Sequence, residues 1–261
     1  MPLRMKLRVI LRFVAAIHDV WQCMSNSEQT WRFDAAYDRC AFNQMPHAHA
    51  LSLRDVFDRA SSSAAHLRVD VQQSIYATGD DDDSMYLIES GQVKLSMSSA
   101  AGKDCLLAIY TAGDVFGESC FTATKRYEAA SAMAPTVVHR ITRRDFLGEV
   151  KAAAATDLLL RHLADRMAER QTAVFDLVTM DAERRLAKVL LGVAEKLGTT
   201  DGPYVRLEQR ISHEELSQIV GTTRPRITAF MQRFRMLGMI ETAGRSIGVH
   251  RERMAAFLAR E

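Results

Sequence analysis

Short β-type runs with a glycine every eleven or twelve residues, then a helical pattern of over thirty residues, then a capped helix pair with strand, turn and strand predict an α+β chain. Its expected parts are a jelly-roll-like β-roll, a long helix and a C-terminal winged helix-turn-helix. The 261 residues, 48% apolar and 25% charged, have a soluble globular composition and the length of two domains. With 34 Lys+Arg against 32 Asp+Glu, the net charge of +2 excludes a uniformly basic nucleic-acid coat. Any such contact must come from local clustering of arginine.

The chain is expected to divide into an N-terminal extension over 1–60, a roll over 61–146, a long helix over 147–179 and a C-terminal domain over 180–261. The extension starts like a signal peptide, with Arg4, Lys6 and Arg8 before an apolar run. Arg12 interrupts that run, His18 and Asp19 end it, and no small-residue cleavage site follows. No run of eighteen apolar residues occurs anywhere, so no membrane contact and a cytoplasmic location are expected. Near the end of the extension Ser52, with Asp55 three residues on, predicts a short capped helix over 52–60.

Strands are expected at 73–77, 85–89, 92–97, 104–110, 131–134 and 136–142, separated by turns at Gly79, Gly91, Gly102 and Gly113. Regular short strands of this kind make a roll or sandwich. The acidic run Asp80–Asp83 reads as a solvated loop, since a calcium loop needs further oxygen ligands at fixed offsets. Cys23, Cys40, Cys105 and Cys120 include no CxxC pair, so neither a disulfide framework nor a metal cluster is expected.

After Asp145 the pattern turns helical. Leu160, Leu163, Met167, Val174 and Leu177 follow at spacings of three, four, seven and three, an apolar seam that needs a partner, most economically a second copy. Arg170 interrupts the seam. A further helix runs from the Asp181 cap to Gly198, and the loop to Pro203 separates it from the last segment.

That last segment is the most informative. Ser212 and Glu215 form a capping box, Gly221 ends the helix they open, and Thr222 or Thr223 caps a second helix with Pro225 in its first turn. On the second helix Ile227, Phe230, Met231 and Phe234 define a buried face, and Pro225, Thr228, Ala229 and Gln232 lie opposite. Arg224, Arg226, Arg233 and Arg235 flank the open face, and no acid occurs between 222 and 235. Small residues let such a face enter a major groove, where arginine forks onto guanine or phosphate. Residues 239–242 and 246–250 read as a wing with Arg245 at its tip.

In GDDDDSMYLIESGQVKL, AGDVFGES, ITRRDF and ISHEELSQIVGTTRPRITAFMQRFRMLGMIE, taken in that order, the chain resembles the Crp/Fnr transcription regulators over residues 67–258. The resemblance implies a cyclic-nucleotide-binding-like roll, a dimerising helix and a winged helix-turn-helix. Its partners would be double-stranded palindromic DNA, a second copy of the chain and RNA polymerase. Arg224, Arg226, Thr228 and Arg233 would face the DNA, with Thr223, Ser212 and Arg245 available for phosphates.

In cyclic-AMP receptors of this type a Gly-Glu pair meets the ribose and an Arg-Ser pair ten residues on meets the cyclic phosphate. Here Gly117 and Glu118 are present, but Glu128 and Ala129 stand at the second pair. A carboxylate there exchanges attraction for repulsion, unless a local slip brings in Arg126. The RxxxR spacing of Arg140 and Arg144 resembles some cyclic di-GMP sites, and Cys120 reads either as a thiol sensor or as a small buried hydrophobe. No cofactor is certain: the cysteines do not suit an iron–sulfur cluster, and no histidine has a haem-ligand context. The rival reading is a nucleotide-sensing module whose helix-turn-helix docks a protein; an enzyme finds no catalytic grouping.

Overall fold

The computed structural model describes residues 52–60, 64–207, 211–243 and 246–259. Cys23, Cys40, Arg245 and nearly all of the 1–60 extension lie outside the described residues.

The last part of that extension does form the capped helix, α1 (Leu53–Arg59). The Ser52 hydroxyl accepts from the Asp55 N–H, and the Asp55 carboxylate accepts from the Ser52 N–H. Val56 and Phe57 are fully buried, so the roll draws part of its core from residues ahead of position 61.

The roll pairs two antiparallel sheets. One has the order β1 (Ala65–Val69), β8 (Thr136–Thr142), β3 (Ser84–Ser90), β6 (Val115–Phe116). The other has the order β2 (Ser74–Tyr76), β7 (Ala129–Ala132), β4 (Gln92–Ser98), β5 (Asp104–Thr111). Strand alternation sends Tyr86 and Ile88 of β3 between the sheets, where Tyr86 stacks on Phe116 at 5.1 Å. It sends Met85 and Leu87 outward beneath α1, beside Phe57, Ile141 and Phe146. A strand covered on both faces is continuously apolar, which is why residues 85–88 carry no polar alternate.

The single helix expected over 147–179 is two: α2 (Arg143–Ala152) and α3 (Thr156–Thr179). Ala154 takes φ +52° between them. The Ala155 N–H reaches Val150 O at 2.8 Å and the Ala154 N–H reaches Lys151 O at 3.1 Å, the paired bonds of a Schellman stop. Alanine occupies the place glycine usually takes.

In the C-terminal part, α4 (Ala182–Leu197) is capped by the Asp181 carboxylate, which accepts from the N–H groups of Glu183 and Arg184. It buries Leu186, Ala187, Leu190 and Ala194 against α5 (His213–Val220) and α6 (Arg224–Met236). The expected loop after Gly198 is instead a hairpin, β9 (Thr199–Asp201) and β10 (Tyr204–Leu207), turning at Gly202 with φ +58°. With β11 (Ile240–Ala243) and β12 (Ser246–His250) it completes a sheet of order β11-β12-β10-β9. The chain continues into α7 (Arg251–Leu258).

Candidate nucleic-acid interface and effector pocket

Gly221 makes the tight turn between α5 and α6. It sits at φ +69°, a left-handed conformation that costs glycine nothing, and its N–H returns to Ser217 O. Upstream, the Ser212 hydroxyl accepts from the Glu215 N–H at 3.1 Å and donates to the Glu215 carboxylate at 2.9 Å. This cap contributes about 1 kcal/mol and commits the hydroxyl, which corrects its expected availability for a phosphate. Glu215 also accepts from Lys94 of β4 at 2.8 Å, joining the roll to the first helix of the pair. Burial would raise the Glu215 carboxyl, but hydrogen bonds from Lys94 and Ser212 hold it below its ordinary value.

On α6 Ile227, Met231 and Phe234 are buried, as their spacing predicts. Arg224, Arg226, Arg233 and Arg235 are exposed, with Pro225, Ala229 and Gln232 open between them. The Thr223 side chain makes no capping bond and is exposed. Arg226 lies 5.6 Å over the Phe230 ring, and the exposed Arg233 holds the largely buried Glu183 of α4 at 2.8 Å. Thr228 is half-buried: its hydroxyl donates to Arg224 O at 3.1 Å and sits 3.0 Å from His213 Nδ1. His213 is thereby placed beside the reading face. Sequence reasoning passed over it; its position just inside the capping box, as the first residue of α5, was the available signal.

The roll's candidate pocket is built on Gly117, at φ +99°, where an added Cβ would come within 2.9 Å of Ser84 O. Arg126, 2% exposed, donates to Gly117 O and Ser119 Oγ, both at 2.7 Å, to Asp82 at 2.8 Å, and to Ser84 O. Asp82 also holds Arg140 at 3.0 Å and the Tyr86 hydroxyl at 2.9 Å. Burial pushes the Asp82 carboxyl up, and the hydrogen bonds from Arg126 and Ser84 bring it below its usual value. The acidic run is therefore not wholly solvated, because one of its four members anchors the pocket. Glu128, 3% exposed, accepts from Ser119 and from the Tyr76 hydroxyl, leaving Oε2 buried without a hydrogen-bond partner. Ala129 opens β7 beside it. A cleft of about 360 Å³ has Tyr76, Asp82, Tyr86 and Arg140 in its wall.

Glu118 faces the other way. It accepts from His162 of α3 at 2.8 Å and from Arg166 at 3.3 Å. Arg166 also donates to Val115 O, and Arg170 donates to Leu107 O at 2.6 Å. His162, Arg166 and Arg170 recur every fourth residue and form the polar stripe by which α3 grips the roll. Arg170 stands at a seam position, but its guanidinium is turned to the roll, where it meets Leu107 O and the Tyr110 hydroxyl. On the outer side Leu160, Met167, Val174 and Leu177 are 59%, 63%, 61% and 55% exposed, while Leu163 packs partly against the roll. Cys120 is fully buried, and burial pushes its thiol up to about 12, which suits the hydrophobe rather than the sensor.

Family models match twice: a cyclic nucleotide-binding domain over residues 67–152 and a Crp-like helix-turn-helix domain over 184–259. The chain is 32% identical over 178 residues to the "CRP-like cAMP-activated global transcriptional regulator" of Mycobacterium tuberculosis, covering 67% of this chain and 79% of that one. The chain belongs to the Crp/Fnr family of transcription regulators. This Crp/Fnr regulator is also 26% identical over 185 residues to the global nitrogen regulator of a Nostoc strain, covering 69% of this chain and 82% of that one. Its fold matches a CooA mutant from Carboxydothermus hydrogenoformans with a TM-score of 0.66 at 23% identity, covering 82% and 98% of the two chains. The Crp/Fnr family binds DNA through the helix pair described above, and its members are regulators rather than enzymes. No helix among the described residues is long and apolar enough to cross a membrane.

Proposed function

We propose that two copies of the chain, joined along α3, read a two-fold symmetric DNA site in the cytoplasm and act there on RNA polymerase, with no catalytic activity of their own. The observation that carries this reading is the pairing of two exposed faces. One is the arginine-rich, acid-free face of α6, and the other is the apolar stripe of α3. Arg224, Arg226 and Arg233 reach bases and phosphates, Thr228 supports them, and Thr223 and Arg245 serve the backbone. In domain terms the roll spans about 61–146 with α1 packed on it, 147–179 supplies the dimer helix, and 180–261 forms the reading head.

The state of the roll is proposed to set the placement of the two heads through α3 and the Lys94–Glu215 link. Effector chemistry differs from that of cyclic-AMP receptors, because Glu128 stands where a cyclic phosphate would need a cation and Arg126 is spent on Asp82. Cyclic di-GMP gains little support, since Arg140 already holds Asp82 and Ser84. Fluorescence anisotropy on labelled duplexes at several salt concentrations tests the reading. A steep salt slope and at least about a thousandfold preference for one palindrome are expected. Salt-independent binding without sequence preference would favour the protein-docking alternative.

A further inference from the structure

His66 of β1, His139 of β8 and Glu89 of β3 come together on the outer face of the first sheet, in three adjacent strands. His66 and His139 are direct cross-strand partners with ring centroids 4.0 Å apart. Glu89 Oε2 lies 3.0 Å from His139 Nε2 and 3.9 Å from His66 Nδ1. All three donor atoms lie within 4.8 Å of one another.

We propose that His66, Glu89 and His139 bind one divalent transition-metal ion of the zinc, nickel and copper class. Around a tetrahedral zinc with bonds of about 2.0–2.2 Å, ligand atoms stand roughly 3.3 Å apart, a value that the two measured separations to Glu89 bracket. Two imidazoles and one carboxylate are a donor set that such metals accept, leaving the fourth position to water. Calcium and magnesium would instead demand a shell of oxygens. The ligands stand on hydrogen-bonded strands, so closing the site needs side-chain adjustment only.

As a purely structural group the trio has little to recommend it. His66 and Glu89 are 56% and 47% exposed at the side chain, and exposed ion pairs add almost nothing to stability. Two histidines in ring contact repel each other when both are protonated, whereas a metal draws both in their neutral form and displaces the proton that His139 shares with Glu89. Bound metal would clamp β1, β8 and β3 beside the β3–β4 turn, on the face of the roll that α1 covers.

Isothermal titration of the chelator-stripped full chain with zinc chloride, and copper(II) paramagnetic resonance on the same protein, test this. One zinc equivalent is expected, weakened at least tenfold in each of His66→Ala, His139→Ala and the volume-conserving Glu89→Gln. The copper spectrum should show splitting from two imidazole nitrogens, reduced to one in either histidine variant. Far-ultraviolet dichroism of the metal-free variants should match the unaltered chain. No zinc equivalent, or an affinity unchanged in the three variants because metal sits elsewhere in the chain, would overturn the site.

Discussion

The carboxylate of Glu118 and the imidazole of His162 meet at 2.8 Å, so the acid that follows Gly117 of the roll's candidate pocket is tied to the helix that carries the exposed apolar stripe. Arg166 reinforces the contact one turn further on. Whatever enters the roll and competes for Glu118 acts directly on α3.

That contact has a pH signature. Burial raises the Glu118 carboxyl, but the hydrogen bond from His162 and the charge of Arg166 bring it below its ordinary 4.5. With the folded pKa depressed, the stabilisation is present above about 4.5 and is lost as pH falls through the folded value. Urea midpoints measured from about pH 3 to 7 should fall in acid by a step that Glu118→Gln lacks. Identical pH profiles for the two proteins would show that Glu118 gains nothing from its partners.

Arg126 is a buried cation whose removal leaves the buried Asp82 with the half-exposed Arg140 as its remaining cationic partner. Arg126→Met should lower unfolding stability by about 3–5 kcal/mol, and the added change Asp82→Asn should recover part of the loss. Chemical denaturation of the single and double variants reads both numbers. A single variant costing under about 1 kcal/mol would mean that solvent already reaches the pair.

Ala154 holds a left-handed conformation that an alanine side chain disfavours. Ala154→Gly should therefore raise stability by about 1 kcal/mol, the reverse of the usual effect of glycine between helices. A loss of stability on thermal unfolding would indicate that α2 and α3 run on as one helix.

Much of this architecture was legible. The capping boxes at Ser52 and Ser212, the Asp181 cap and the buried face of α6 are local signals, with donor, acceptor and period inside one short window. The break at Ala154 was not, because alanine is the strongest helix former and the burial of Ala155 and Leu159 in the core beneath α1 and α2 is a tertiary feature. The β9–β10 hairpin was passed over although Gly202-Pro203 makes a two-residue loop with glycine first; its flanking strands are too short to show alternation. In the site, Gly117 and Glu118 could be named from the sequence, but not that Arg126 points at Asp82 or that His162 reaches Glu118. Those contacts join residues 44 positions apart, and nothing local encodes them.

The stripe on α3 predicts the oligomer. Val174→Glu, at a position 61% exposed in the single chain, should leave the fold intact while converting the dimer to monomer in sedimentation velocity and weakening binding to a palindrome. A monomeric unaltered chain would remove the stripe's assigned role.

For the roll, a thermal-shift panel with cyclic AMP, cyclic GMP and cyclic di-GMP should show no stabilisation. A bound ligand at 100 times its dissociation constant would add about 2.7 kcal/mol. A clear shift with cyclic AMP would mean that Arg126 leaves Asp82 to meet the phosphate.

The most direct test of the central claim is selection of duplexes from a random pool by the full chain, followed by the same selection with Arg224→Ala. The account predicts a two-fold symmetric sequence with half-sites about 34 Å apart, and a variant that loses about 1–3 kcal/mol and its preference at one base pair of each half-site. Enrichment of no sequence, or of a lone half-site that Arg224→Ala selects equally well, would contradict it.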